Sequence, residues 1–218
     1  MEPRQRPASA ASSSGRRPLK QVTEDILHFG SLRCFRHFEV EARSAQELVV
    51  RLRGARAAPG GADGGARAGG RSFLIGAFTR YNYPHVWRLR AADEDARADL
   101  DRPLALESTR AWKARNTRVW DFVRELAVAF GGLHEHENAF AIDFDALRGL
   151  RARAGGAGDA DALPACVAAA GLLSFLRYAI ETHSIRLTQQ VLDDVRGLAR
   201  VHVGGVGHVI AAHDAAVR

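Results

Sequence analysis

The feature that most constrains the fold is a stripe of large apolar residues at helical spacing within residues 109–132, TRAWKARNTRVWDFVRELAVAFGG. Such a stripe is typical of a helix that buries one face in a core. Its members are Trp112, Val119, Trp120, Val123, Leu126, Ala127 and Phe130. Gly131 and Gly132 follow the stripe and indicate where the helix ends. The sequence therefore predicts one long amphipathic helix whose opposite face is basic, with Lys113, Arg115, Arg118 and Arg124.

Several segments have the pattern of β-strands. Apolar and polar residues alternate in two of them, and the others are short apolar runs near turn residues. These are residues 31–42, 71–80, 85–91 and 138–144. Because only a short turn separates 71–80 from 85–91, these two segments are predicted to form an antiparallel hairpin. Residues 103–108, PLALES, are predicted to be a short edge strand.

Further helices are predicted from their N-terminal signals. A side-chain oxygen that accepts a backbone N–H favours the start of a helix, and the candidates are Thr23, Ser44, Asp145 and Thr188. Ser44 and Glu47 have the spacing of a capping box, so residues 44–54 are predicted to be a helix that stops at Gly54. Residues 163–183 are predicted to be a buried helix and 188–201 an amphipathic one, whereas residues 202–218 give no clear pattern.

The order of these elements from residue 31 is strand, helix, strand, strand, helix, strand, followed by extra helices. That order is the one of a ferredoxin-like split βαβ sandwich. The sequence therefore predicts an α+β fold of that type with additional C-terminal helices.

The chain is predicted to contain one folded domain, at 22–218, after a disordered basic tail at 1–21. Two segments rich in Gly and Ala, at 55–71 and 153–162, are predicted to be a flexible insertion and a linker. The net charge of +6 lies mostly in the tail, because residues 1–20 hold five basic residues and one acidic residue. The remaining residues hold 26 basic and 24 acidic residues, so the folded part is nearly balanced.

Composition limits the class of protein. No secretory signal and no membrane helix is recognised, so an intracellular location, nuclear or cytoplasmic, is predicted. Cys34 and Cys166 lie in apolar patterns, which suits buried free thiols. Only Lys20 and Lys113 are lysines among 31 basic residues, and this bias towards Arg fits a GC-rich genome, including that of a large DNA virus.

The one stretch that resembles a metal site is GGLHEHENAFAIDFD, residues 131–145. His134 and His136 are two residues apart, as are Asp143 and Asp145, and a turn could bring the two pairs together for zinc. The stretch also has the composition of an exposed charged turn before a strand. We favour the turn and predict no metal and no cofactor, and a metal-dependent hydrolase is the weaker alternative.

The leading functional hypothesis is a non-enzymatic regulatory or accessory protein that binds nucleic acid, RNA or DNA, through Arg and aromatic side chains. The candidate residues lie in the hairpin and on the 109–132 helix: Arg80, Tyr81, Tyr83, Arg88, Arg90, Lys113, Arg115 and Arg118. The alternative is a protein-binding adaptor, such as a viral host-interaction or virion protein. In that case the two C-terminal helices would form a groove or the seam of a homodimer.

Overall fold

The structure is a computed structural model that describes residues 16–53, 71–76, 83–89, 102–112, 117–152, 163–182 and 184–217. Over these residues it is an α+β fold, as predicted. The elements are α1 (Arg16–Phe29), β1 (Phe38–Ser44), β2 (Glu47–Leu52), β3 (Ser72–Gly76), β4 (His85–Leu89), α2 (Glu107–Ala111), α3 (Val119–Gly131), α4 (Phe144–Ala152), α5 (Leu163–Glu181) and α6 (Gln189–Val217).

The four strands form one antiparallel sheet in the order β1-β2-β3-β4. Each strand pairs with its neighbour in sequence, and one row across the sheet joins Val40, Val50, Phe73 and Arg88. The predicted hairpin of residues 71–80 and 85–91 is confirmed for β3 and β4. The ferredoxin-like split βαβ order is wrong, since a meander of consecutive strands has no helical crossover between its first two strands.

The error lies in residues 44–54, which form strand β2 and not a helix. Leu48, Val49 and Val50 are all buried, because β2 lies inside the sheet and both of its faces are covered. A run that is apolar on both faces does not alternate, so it lacked the strand pattern, and the capping-box spacing of Ser44 and Glu47 predicted a helix instead. The Ser44 hydroxyl does accept a backbone N–H, from Gln46 at 3.2 Å, but it does so in the turn between β1 and β2.

The main core lies on one side of the sheet, where α1, α3 and α5 pack. Its centre is Phe29 of α1, whose ring lies 5.0 Å from that of Phe175 on α5 and 6.4 Å from that of Trp120 on α3. The other side of the sheet carries a second buried cluster of Val49, Leu74, Trp87 and Leu89, each at most 4% exposed. Both faces of the sheet are therefore covered.

The first helix differs from the prediction. Helix α1 begins at Arg16, inside the segment 1–21 that is predicted to be a tail, and Thr23 lies inside the helix and does not cap it. Val22 and Ile26 are at most 1% exposed, and their burial ties the helix to the core. Residues 1–15, 54–70 and 153–162 lie outside the described residues, and with them the predicted linker at 153–162 and all but Arg71 of the predicted insertion at 55–71.

The other predicted strands are shorter than expected. In 31–42, strand β1 begins only at Phe38, and Cys34 before it has a positive φ of 70°. In 138–144, only Ile142 forms a bridge, with Phe35, because the Asn138 side chain accepts the N–H of Phe140 and turns the chain. Residues 103–106 form no strand: Leu104 donates one hydrogen bond to Val86, and helix α2 begins at Glu107.

The predicted helix over 109–132 is divided into α2 and α3, with residues 113–116 outside the described part of the chain. Arg118 has an extended backbone and stands just before α3, where its N–H donates to the Asp121 carboxylate at 2.7 Å. The predicted helix end is confirmed, since Gly132 adopts the left-handed φ of 74° that favours glycine.

Helices α4, α5 and α6 follow the predicted order, with two changes. Asp143, and not Asp145, caps α4, because the Asp143 carboxylate accepts the N–H of Ala146 at 2.9 Å. Thr188 caps α6 as predicted, by accepting the N–H of Val191 at 3.3 Å. Helix α6 continues through residues 202–217, which had no predicted structure. Helices α5 and α6 pack against each other in antiparallel orientation after a short connection.

Candidate functional site

The predicted nucleic-acid residues do not form a platform among the described residues. Tyr83 is half-buried and its ring lies 4.7 Å from that of His85. Arg88 is exposed on β4, next to Trp87, which is only 1% exposed and so cannot stack on a base. Five further candidates lie outside the described residues: Arg80, Tyr81, Arg90, Lys113 and Arg115.

Arg118, the last of these candidates, is held inside the molecule. Its side chain is 12% exposed, and its guanidinium donates to the Asp25 carboxyl group at 2.9 Å. It also donates to the hydroxyl of Tyr178 and lies over the rings of Trp120, at 5.6 Å, and Tyr178, at 5.3 Å. A phosphate contact by Arg118 would require these contacts to break, so the structure gives Arg118 an internal role that joins α1, α3 and α5.

Asp25 is the buried acidic group of this cluster. It is 0% exposed, and its second oxygen accepts the N–H of Val119 at 3.0 Å, at the start of α3. Burial penalises the charged carboxylate and raises the pKa of Asp25 from an ordinary value of 3.8 to about 7, although the hydrogen bond from Val119 and the Arg118 charge act in the opposite direction. Sequence reasoning missed Asp25, because the contact with Arg118 spans 93 positions.

The four metal candidates are divided among separate contacts. The rings of His134 and His136 are exposed and stack on each other at 5.6 Å. Asp143 accepts from Arg53 at 2.8 Å, and Asp145 pairs with Arg148. Within the described residues, no group of three or more His, Cys, Asp or Glu side chains is placed to share a metal ion. The stretch has the geometry of the charged turn that the sequence favours.

Asp143 shows why this geometry is structural. Burial favours its protonated form, but hydrogen bonds from the Ala146 N–H and from Arg53, together with the Arg53 charge, lower the pKa of Asp143 below its ordinary value. The ionised carboxylate thus caps α4 and ties it to the end of β2.

The two cysteines are buried free thiols, as predicted. Cys166 on α5 lies with its Sγ 3.4 Å from Nδ1 of His202 on α6, and its thiol donates to the His202 carbonyl oxygen at 3.4 Å. A thiol that is 4% exposed and bound to a backbone carbonyl is not positioned to attack a substrate. The pair does fix the relative position of the two helices along their length.

A cleft near the charged turn has a mixed lining of polar and apolar side chains and carries charges of both signs. This cleft of about 630 Å³ lies between the 135–140 turn and the 184–191 segment, and it contains Arg124 and Arg186 together with Glu135 and Glu137. Its volume would suit a small ligand. Its mixed charges and its mixture of polar and apolar walls, however, select no particular class of substrate.

Exposed apolar side chains lie together at one end of the α5–α6 pair. Val167 on α5 is 62% exposed, and Val203 and Val206 on α6 are 69% and 39% exposed. Val167 and Val203 directly follow Cys166 and His202, whose contact brings the two helices together at this point. We call Val167, Val203 and Val206 the valine surface. Sequence reasoning missed it because no structure was predicted for residues 202–218.

Helix α5 is also, among the described residues, the one helix long and apolar enough to cross a membrane, from Pro164 to Glu181. Core helices of folded proteins satisfy the same criterion, and 39% of this stretch is buried inside the chain. Leu172, Phe175 and Leu176 lie in the main core. These contacts give the apolar character of α5 a structural explanation.

The fold and the surface define an α+β protein in which helices cover an antiparallel meander and a helical pair extends from it. A family described as a domain of unknown function, DUF7886, matches residues 62–204, which is more than half of the chain, and the chain belongs to this family. The matched region includes β3 to α5 and about half of α6, with Val167 and Val203. No curated protein and no solved structure matches the chain.

Proposed function

We propose that this chain is a non-enzymatic protein-interaction module and that its contact surface is the outer face of the α5–α6 pair. The observation that carries the proposal is the exposure of Val167, Val203 and Val206 on two helices that reach the main core through other residues. Neighbouring apolar side chains that remain open to water on a rigid support are typical of a protein-binding surface.

The supporting helices are well fixed. Helix α5 reaches the main core through Leu172 and Leu176, each 0% exposed, and α6 does so through Leu198, also 0% exposed. A partner would thus meet a preformed helical surface and would lose little free energy in ordering it.

The proposal takes preference over nucleic-acid binding because of where the basic and aromatic groups lie. Trp87 is buried and Arg118 is paired with Asp25, so neither supplies a stacking surface or a free cation. Arg88 is exposed on a sheet whose two faces are covered.

The test is the size of the native complex that the full chain forms in an extract of cells that produce it. Wild-type chain is expected to elute well above its 23.7 kDa mass, and Val203→Glu with Val206→Glu to reduce that size. The control is Leu27→Glu, because Leu27 on α1 is 69% exposed, as Val203 is, but lies on another helix.

Three results would contradict the proposal. One is a wild-type chain that elutes at its own mass. Another is a double Glu variant that elutes with wild type. The third is a complex that collapses on nuclease treatment, which would instead identify a nucleic acid as the partner.

A further inference from the structure

Helix α6 is longer than the helix it packs against. The Cys166–His202 contact places these two residues level with each other in the antiparallel pair. The first residue of α5, Leu163, is therefore level with about Gly205, and α6 has no part of α5 beside it beyond that point. Helix α6 nevertheless continues to Val217. The 12 residues from 206 to 217 extend about 18 Å past the start of α5, at ~1.5 Å per residue.

This part of α6 has a composition that weakens an isolated helix. Gly204, Gly205 and Gly207 fall within four positions, and each costs about 1 kcal/mol relative to Ala in a helix interior. A Cβ built at Gly204 would meet nothing within 4 Å, so no close approach inside the chain requires glycine there. A helix of this composition depends on packing against another surface.

The sequence of α6 has a periodic and mostly apolar set of positions in the same part of the helix. From Val203, positions 203, 206, 210, 213 and 217 follow the 3-4-3-4 spacing of coiled-coil a and d positions, and they hold Val, Val, Ile, His and Val. Val203 and Val206, the first two, are the exposed α6 members of the valine surface. Such spacing is typical of a seam between two helices.

The charges beside the strip select the orientation of a second helix. In this register Arg200 and Asp214 both fall at position e, and Arg200 is exposed. When two copies of the helix pair in antiparallel orientation, an e position of one faces an e position of the other. With Val206 of one copy level with Ile210 of the other, Arg200 of each copy falls opposite Asp214 of the second copy.

We propose that a second copy of this chain occupies the strip, through antiparallel pairing of the two α6 helices from Val203 to Val217. The contact is two-fold symmetric, so one strip provides both sides of it, as in most homodimers. Gly207 then lies opposite Gly207 of the second copy at the centre, where the absence of side chains allows the helices to approach. This inference rests on the proposed function and names the partner at the part of the valine surface that lies on α6, Val203 and Val206.

The test measures the mass of the purified full chain by light scattering over concentrations from about 1 to 100 µM. Wild type and Leu27→Glu are expected to show twice the 23.7 kDa chain mass, and Val203→Glu with Val206→Glu to show the monomer mass. Arg200→Glu alone and Asp214→Arg alone are each expected to raise the dimer dissociation constant at least about tenfold. The two changes combined restore the pairing, and with it the wild-type constant.

A wild-type chain that is monomeric at every concentration would overturn the inference, and so would a double Glu variant that stays dimeric. If the chain with both Arg200→Glu and Asp214→Arg dimerises no more tightly than either single variant, the antiparallel register is wrong. If the purified chain is monomeric while the complex in extract still depends on Val203 and Val206, the partner is another protein. In that case the proposed function stands and this inference fails.

Discussion

The buried Asp25 carboxylate gives the stability of this protein a pH dependence opposite in sign to that of an ordinary salt bridge. In the folded chain its pKa is raised to about 7, chiefly by burial, from the ordinary 3.8 that it regains on unfolding. Between these pH values the folded state holds a proton that the unfolded state has lost. The stabilising contribution of Asp25 is therefore fully present below pH ~4, falls as the pH rises, and is lost above pH ~7.

The magnitude follows from the two pKa values, which differ by about 3. At ~1.4 kcal/mol for each pKa unit, the contribution of Asp25 changes by up to about 4 kcal/mol. Asp25→Asn removes the titration and keeps the shape of the side chain. The free energy of unfolding of wild type minus that of Asp25→Asn is thus expected to decrease by up to about 4 kcal/mol between pH ~4 and pH ~7.5.

The assay is urea unfolding of both chains at several pH values, followed by tryptophan fluorescence. Trp120 is a suitable reporter, because it is 0% exposed and lies beside Arg118. Asp145→Asn is the matched control, since Asp145 is in an exposed ion pair with Arg148. A wild-type advantage over Asp25→Asn that grows as the pH rises would refute the reasoning, because a carboxylate stabilised mainly by Arg118 gives that sign.

Two further predictions concern local packing, and both are measured by urea unfolding at one pH. Gly30→Ala is expected to destabilise the fold by roughly 1–3 kcal/mol, since the new Cβ would lie 2.7 Å from the Ile26 carbonyl oxygen and 2.8 Å from the Ala42 Cβ. An unchanged unfolding midpoint would contradict this and would show that the turn after α1 relaxes to accept the methyl group. Thr188→Ala is expected to lower the free energy of unfolding by about 1 kcal/mol, because α6 loses its N-cap. Thr188→Ser keeps the hydroxyl and is expected to keep most of that stability. Equal losses in the two variants would contradict the capping role.

Sequence reasoning succeeded where the signal is local. The hairpin of β3 and β4, the C-terminal cap at Gly132 and the N-cap at Thr188 each depend on a few neighbouring residues. It failed for β2, because Val49 packs with Trp87 on one face of the sheet while Leu48 and Val50 pack on the other, and burial on both faces removes the alternation that marks a strand. That one error changed the predicted topology.

The candidate site was harder to predict, because it depends on where elements end and not only on which elements form. Arg118 looks like a surface cation in the sequence, yet Asp25, 93 positions away, holds it in the interior. The strip from Val203 onward has a helical spacing, but that spacing has a meaning only because α6 continues as a helix to Val217, which the sequence did not predict. Its exposure, however, follows from the alignment of α5 and α6 at Cys166 and His202, which the sequence does not state.

The most direct test of the central claim, that the valine surface binds protein, is photo-crosslinking in cells. A photoreactive phenylalanine analogue replaces Val203 in one chain and the equally exposed Leu27 in another, and mass spectrometry identifies the adducts. We predict protein adducts from position 203 and none above background from position 27. An absence of protein adducts at position 203, or the same adducts from both positions, would contradict the claim.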